Sequence, residues 1–201
     1  MYKEGLIDIM IDIECLGLAP GCKILEIGAC TFDGKYTFSQ LIERKAQLLS
    51  EDKGTLDWWN KQEGWNRVSS GTLPIASVLA LFTSWLKKIE LETGKKIRVW
   101  GNAASFDISI LEHAYKAYFF YDIPWKYWNV MCFRTLKNLY GKEVPEPKFN
   151  GNKHEALADA AHQAYWANMI AIYITKANFC YSSMDGVSIP ESSEMNRAYD
   201  G

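Results

Sequence analysis

The sequence predicts one α/β domain in which an antiparallel meander of strands comes first and helices alternate with strands afterwards. Two observations indicate this class: three strand-like segments within residues 6–42 are joined by short turns, and long segments with helical periodicity follow them. With 201 residues, of which 48% are hydrophobic, the chain suits a single domain with a sizeable core. We assign residues 1–180 to the domain and residues 181–201, rich in Ser and Glu, to a tail.

The opening strand, residues 6–14 (LIDIMIDIE), is an apolar run that carries three carboxylates on one face. Because side chains alternate along a strand, the four isoleucines share the other face and anchor it in the core. Asp12 and Glu14 project side by side, and two charges about 5 Å apart repel by roughly 3 kcal/mol at an effective dielectric near 20. A divalent cation is the simplest compensation. Asp8, about 13 Å from Asp12 at the rise of a strand, is expected to be solvent-exposed.

The meander continues with predicted strands at residues 23–32 and 36–42, which the hairpin signal Asp33-Gly34 joins. Residues 51–67 predict short helical turns with aromatic anchors. A long helix then begins after Pro74 and ends at Gly94.

The C-terminal half alternates short strands with helices. Its predicted elements are a strand at 96–100, a helix at 106–120, a helix at 128–140 with a brief strand near 130–133 as an open alternative, a loop at 141–153 and a long helix from residue 154. The last helix carries a narrow ridge that permits close packing on a sheet, formed by Ala160, Ala161, Ala164 and Ala167.

Composition narrows the class of protein. The net charge of −2 lacks the Lys/Arg surplus that tight non-specific nucleic-acid binding needs, although two bound divalent cations would reverse its sign. The apolar runs are too short for a membrane span and the N-terminus lacks a secretory layout, which predicts a soluble, cytoplasmic protein. Five cysteines without a C-x-x-C pair disfavour a disulfide framework or a zinc cluster.

Acids recur at the ends of elements that lie far apart in sequence. Asp107 stands at a helix start after the fourth strand, and Asp159 lies in the final helix, five residues after His154. A helix start lets a side chain lean over a neighbouring strand end, so His154 can reach the acids from the rim while Asp159 points inward. The candidate site therefore has four carboxylates and one imidazole, with a plain helix cap as the alternative role of His154.

Three motifs in this order resemble the DEDDh branch of the DnaQ-like 3′-to-5′ exonucleases. They are IDIECLG at residues 11–17, WGNAASFDISIL at 100–111 and HEALADAA at 154–161. The resemblance implies an RNase H-like fold: a mixed five-stranded sheet, three strands antiparallel and the next ones parallel, flanked by helices. The Cys-Leu pair after the first glutamate and the segment TLDWWNKQ at 55–62 look closer to phage and prophage exonucleases and to the RNase AS-like exoribonucleases.

The family resemblance also implies a chemistry. Two divalent cations, Mg²⁺ or Mn²⁺, would be held by Asp12, Glu14, Asp107 and Asp159, with Asp12 bridging them, because hard cations prefer oxygen ligands. His154 would be the general base. The partner would be a single-stranded or frayed 3′ end of DNA or RNA, the product a nucleoside 5′-monophosphate, and a homodimer is common in the family.

Contacts to the substrate are expected from residues around these motifs. The candidates are Cys15, Leu16, Gly17, Asn102, Phe106 and Trp59. Leu16 is a candidate wedge against the terminal base, with a buried turn residue as the alternative. At least one of Trp58 and Trp59 is expected in the core, the other near the substrate. Asn102 is either a turn residue or a hydrogen-bond partner of the substrate.

Three functions are compatible with these motifs: a 3′-to-5′ exonuclease that acts on single-stranded or frayed 3′ ends, a dedicated exoribonuclease for RNA processing, and a non-catalytic nucleic-acid or partner-binding module. The intact acids and His154 favour an enzyme, because a binding module has no use for four converging charges. The choice between DNA and RNA depends on contacts to the 2′-hydroxyl, which the motifs do not encode.

Overall fold

The computed structural model describes residues 5–119 and 123–182, and its centre is a five-stranded mixed sheet. Strand β1 is central, with β2 and then β3 antiparallel on one side and β4 and then β5 parallel on the other. The strands are β1 (Leu6–Cys15), β2 (Ile24–Thr31), β3 (Thr37–Leu41), β4 (Lys96–Gly101) and β5 (Val130–Cys132). This order confirms the predicted mixed sheet.

Helices cover both faces of the sheet. They are α1 (Lys53–Trp59), α2 (Trp65–Val68), α3 (Ile75–Thr93), α4 (Asp107–Phe119), α5 (Phe133–Tyr140) and α6 (Ala156–Ser182), with a 3₁₀ turn at Tyr127–Asn129. Both alternatives for residues 128–140 occur in succession, since β5 leads directly into α5. Helix α6 begins two residues after His154, so that residue precedes the helix. Of the predicted tail at 181–201, residues 181 and 182 still belong to α6, and residues 183–201 lie outside the described residues.

The two faces of β1 pack against different helices, as the alternation predicts. Ile9 and Ile11 lie in a core with Phe82 of α3 and Leu111 of α4. The opposite face places Met10 in a second core that α5 and α6 complete. The acids of β1 therefore share a face with α6.

Helix α6 approaches the sheet unusually closely over Gly28. This glycine pairs with Asp12 across β1 and β2, and a Cβ built on it would lie 2.1 Å from the backbone carbon of Ala156. The helix continues over the sheet on a ridge of buried alanines, Ala156, Ala160, Ala164, Ala167 and Ala171. Ala161, which we expected in this ridge, is exposed because it lies on the solvent side of the helix.

Asp8 is buried, and the expectation that it is solvent-exposed is wrong. Parallel pairing sets Arg98 of β4 directly beside it. The Arg98 guanidinium donates to both Asp8 oxygens, at 2.5 and 2.8 Å, and the Trp100 indole N–H donates to Asp8 Oδ1 at 2.6 Å. Asp8 therefore belongs to a structural ion pair at the far end of β1.

Within the described residues, no helix is long and apolar enough to cross a membrane. The four cysteines whose side chains are described, Cys15, Cys22, Cys30 and Cys132, are free thiols.

Substituting Gly28→Ala tests the close approach of α6. We expect a loss of about 2–3 kcal/mol in the free energy of unfolding, because the added methyl group overlaps the helix backbone. Urea unfolding measures it. Gly64→Ala is the matched control, since a Cβ there meets nothing within 4 Å, and it should change stability by less than about 0.5 kcal/mol. Equal effects of the two substitutions would contradict the packing described here.

Candidate active site

Three carboxylates converge where β1 ends and α6 begins. Asp12 and Glu14 lie on β1, and Asp159 lies in the first turn of α6. Each of the three offers one ligand atom, and these atoms lie within 4.8 Å of one another. The convergence follows from the fold, because the bare Gly28 lets the start of α6 settle over the strand that pairs with β1.

Burial and mutual repulsion disfavour the ionised forms of these carboxylates. Burial raises the pKa of Asp12 well above its usual range, and the nearby charges of Asp107 and Glu14 raise it further. The pKa of Glu14 rises to about 8, chiefly through burial and then through the charges of Asp159 and Glu26. Burial also raises the pKa of Asp159. A hard divalent cation fits this donor set, because it prefers oxygen ligands and its positive charge compensates the negative charges of the clustered carboxylates.

Gln163 is part of the site and was not predicted from the sequence. Its side-chain amide donates to Asp12 Oδ1 at 2.9 Å, and its carbonyl oxygen is buried with no hydrogen-bond partner in the described part of the chain. The spacing held a signal, because Gln163 lies four residues after Asp159 and therefore on the same face of α6.

Asp107 lies beside the three-carboxylate cluster without being one of its members. It begins α4, is 3% exposed, and accepts the Ala103 backbone N–H at 3.1 Å. Burial raises its pKa to about 6, an effect that backbone hydrogen bonds partly offset. Its charge is the largest electrostatic influence on Asp12 after burial. Asp107 is thus close enough to act with Asp12.

His154 stands at the rim in a left-handed backbone conformation, with φ at 63°. Its backbone N–H donates to Asp159 Oδ2 at 3.0 Å, which ties the histidine to the acid cluster. Two indoles make edge-to-face contacts with its ring, with centroids 5.1 Å away for Trp58 and 5.8 Å away for Trp59.

An apolar cleft of about 490 Å³ opens next to Glu14. Its lining includes Cys15, Gly17 and Phe106, as well as Leu18 and Trp58. Leu18 is 79% exposed and Trp58 is 43% exposed, so both offer apolar surface to a ligand. Leu18 was not a predicted contact, whereas Trp58 belongs to the pair of which one member was expected near the substrate.

Two predicted substrate contacts need correction. Leu16 is fully buried against Trp59 and Val68, so it is the buried turn residue and not the wedge. Trp59 is among the residues that line the cleft, but it is only 1% exposed. Its indole N–H donates to the Cys15 carbonyl at 3.0 Å, which fixes the ring in the core. Trp59 is therefore the core member of the tryptophan pair, and a contact of Trp58 with the substrate stays a prediction.

Asn102 lies in the turn between β4 and α4. Its backbone carbonyl accepts the Arg134 N–H at 2.8 Å, which fixes the turn. Its side-chain oxygen is buried and has no hydrogen-bond partner among the described residues. Asn102 is therefore a turn residue, and a hydrogen bond from its side chain to the substrate stays a prediction.

Solved structures with a similar fold are nucleases. The nuclease domain of 3′hExo, a DEDDh family member bound to rAMP, has 15% identity, covers 85% of this chain and 92% of that chain, and gives a TM-score of 0.57. A 3′-exonuclease that recognises the histone mRNA stem-loop has 14% identity and a TM-score of 0.58, with coverage of 82% and 63%. Pop2p of S. pombe, in its Mg²⁺- and Mn²⁺-bound form, has 13% identity and a TM-score of 0.55, with coverage of 83% and 84%.

The fold is therefore the RNase H-like fold of the DEDDh exonucleases. A family model described as the 3′-5′ exoribonuclease Rv2179c-like domain matches residues 7–171. The chain belongs to this family and is a 3′-5′ exonuclease. No curated protein matches it.

Stability without metal should fall as pH rises from about 4.5 to about 8. The folded state raises the pKa of Glu14 from 4.5 to about 8, so in this range the folded state binds more protons than the unfolded state. Urea unfolding with a chelator at pH 5, 6, 7 and 8.5 measures the slope. Glu14→Gln should flatten it, whereas Glu63→Gln, at an exposed position, should not.

Mn²⁺ should restore stability most strongly at the alkaline end of this series, because it binds the ionised carboxylates of the folded state. A stability of the wild type that is independent of pH, or that rises over this range, would contradict the assigned pKa shift.

Proposed function

We propose that the chain removes nucleotides one at a time from single-stranded or frayed 3′ ends, with divalent cations, and releases nucleoside 5′-monophosphates. The observation that carries the proposal is the convergence of Asp12, Glu14 and Asp159 within 4.8 Å, with His154 tied to Asp159 at its rim. A binding module would not need such a cluster, because each buried carboxylate costs free energy unless a cation compensates it.

Two Mg²⁺ or Mn²⁺ ions fit the donor set. Asp12 would contact both, Glu14 and Asp159 would hold one, and Asp107 would contribute to the other. When bound, such ions neutralise the phosphate, lower the pKa of water and stabilise the leaving oxygen. Gln163 serves the site by orienting Asp12, because its amide occupies one side of Asp12 Oδ1 and leaves the second oxygen open.

His154 acts as the general base. Its imidazole takes the proton of the water that attacks the phosphorus of the terminal phosphodiester, a role that imidazoles commonly play in enzymes. Edge-to-face contacts with Trp58 and Trp59 limit the rotation of the ring, and the bond from its backbone N–H fixes it relative to Asp159. The leaving group is the 3′-oxygen of the next nucleotide, which becomes the new 3′ end.

The terminal nucleotide occupies the cleft beside Glu14. Leu18 and Trp58 would contact its base, because they are the exposed apolar side chains of that cleft, and aromatic faces hold bases without strong sequence preference. Phe106 closes the cleft from the side of α4, and Cys15 and Gly17 supply backbone along its edge. Asn102 would use its unpaired side-chain oxygen toward a substrate hydroxyl.

RNA is the substrate we propose, because the matching family model describes exoribonucleases. A broader exonuclease that also degrades DNA is the alternative. A homodimer, a cytoplasmic location and a relationship to phage enzymes stay predictions.

Digestion of 5′-labelled RNA and DNA oligonucleotides of matched sequence, with Mg²⁺ and with Mn²⁺, tests the proposal. We expect ladders that shorten from the 3′ end, faster on RNA, with mononucleotides identified by chromatography. His154→Ala should lower the rate by about 10²–10⁴-fold while it keeps Mn²⁺ affinity, and Asp159→Asn should abolish both activity and tight Mn²⁺ binding.

The exposed His113 of α4 supplies a matched control, since His113→Ala removes an imidazole outside the site and should leave the rate unchanged. Full activity of either site variant, or internal cleavage without a ladder, would refute the mechanism. Equal rates on RNA and DNA would refute only the choice of RNA.

A further inference from the structure

We propose that Arg67 of α2 is a positioning residue that holds His154 in its working conformation. The inference deepens the proposed function and rests on it, because it assigns Arg67 its effect through the general base. The inference follows from contacts that link α2, β2 and His154, which lies two residues before α6.

The Arg67 guanidinium contacts Glu26, the backbone of His154 and, at 3.5 Å from Nε, the carboxylate of Glu155. It donates to both oxygens of Glu26, at 2.7 Å from Nη2 and 3.1 Å from Nη1, and Nη2 also donates to the backbone carbonyl of His154 at 2.8 Å. A planar guanidinium can make this pattern because it presents several donors in a fixed geometry, whereas a lysine ammonium cannot reproduce it.

Glu26 is a buried anchor for the Arg67 guanidinium. It is 1% exposed, lies on β2 directly opposite Glu14, and accepts a hydrogen bond from the Ser39 hydroxyl at 3.3 Å. Its Oε2 also accepts the backbone N–H of Ala156, the first residue of α6, at 3.2 Å. The same carboxylate therefore anchors Arg67 and the helix that begins two residues after His154.

His154 requires such support. A non-glycine residue with φ at 63° occupies a left-handed conformation that costs about 1–2 kcal/mol relative to ordinary backbone. Two hydrogen bonds secure it from opposite sides, the one to Asp159 through its N–H and the one from Arg67 through its carbonyl. Without the bond from Arg67, the backbone can relax toward negative φ and carry the imidazole away from the attacking water.

The ring of His154 is secured by the same part of the chain. Trp58 and Trp59 of α1 make edge-to-face contacts with the imidazole, and α2 with Arg67 follows a few residues later. The segment of residues 53–68 therefore contacts both the ring and the backbone of His154. Arg67 does not line the apolar cleft beside Glu14, so its predicted effect is on the chemical step and not on nucleotide binding.

Arg67→Met tests the proposal, together with Arg67→Lys as the variant that keeps a positive charge next to the buried Glu26. We expect kcat on the oligonucleotide to fall by about 10- to 100-fold in both, because misplacing a catalytic group by about 1 Å can cost 10²-fold. In Arg67→Lys, which keeps a positive charge near Glu14, KM and the Mn²⁺ affinity measured by calorimetry should stay within about twofold. A rise in KM or a loss of Mn²⁺ affinity in this variant, in proportion to its loss in kcat, would overturn the proposal.

Arg44→Met is the matched control. Arg44 makes a similar two-pronged ion pair, to Glu51 at 2.8 and 2.7 Å, and packs over Trp65 of the same segment, but it has no contact with His154. This variant should keep the wild-type kcat. A loss in Arg44→Met equal to that in Arg67→Met would point to general destabilisation and would overturn the proposal.

A double-mutant cycle separates positioning from a structural role. If Arg67 acts through His154, Arg67→Met should have little further effect on the residual rate of His154→Ala. The same fold-loss in both backgrounds would overturn the proposal. If His154→Ala has the wild-type rate, the general-base assignment fails first, and the proposal falls with it.

Nuclear magnetic resonance of the metal-free protein supplies a readout that does not depend on activity. The imidazole protons of His154, assigned by their loss in His154→Ala, should be displaced by the ring currents of Trp58 and Trp59. In Arg67→Lys they should move toward the position of a solvent-exposed histidine, and in Arg44→Met they should not move. Unchanged resonances in Arg67→Lys would overturn the proposal even if the chain had no nuclease activity.

Discussion

The gathering of three carboxylates in one partly buried place is the constraint on which the rest of the structure depends. Asp12, Glu14 and Asp159 bring ligand atoms within 4.8 Å of one another. At this separation and an effective dielectric near 20, two ionised groups repel by about 3 kcal/mol, and burial adds to the cost. The pKa of about 8 for Glu14 reflects both effects. A bound divalent cation relieves this repulsion, and the free energy of that relief adds to the affinity of the cluster for metal.

The surrounding fold keeps these groups together despite their repulsion. The central position of β1 fixes two of them in a sheet that is buried on both faces. Gly28 admits the start of α6, which brings the third. Gln163 then holds Asp12 from the helix side, and Glu26 ties β2 to the first residue of α6. The rigidity that the proposed metal site and the proposed general base require thus comes from contacts between elements far apart in sequence.

Much of the fold and the acid site could be predicted, because strand alternation, helix starts and motif spacing are local properties of the sequence. The failures have a common cause in tertiary packing. Which side of a turn faces solvent depends on what packs against it, so Leu16 and Trp59 proved to be buried. The ion pair of Asp8 depends on Arg98, ninety residues later in the sequence. The contact of Arg67 with His154 spans 87 residues. No local pattern encodes such pairings.

Calorimetric titration of the metal-free protein with Mn²⁺ at pH 7, in two buffers of different ionisation enthalpy, tests most directly whether the carboxylate cluster is a metal site. The difference between the two heats counts the protons released on binding. Because Glu14 has a pKa of about 8, we predict saturable binding with release of roughly one proton or more. Absence of binding, or binding that releases no proton, would contradict the account.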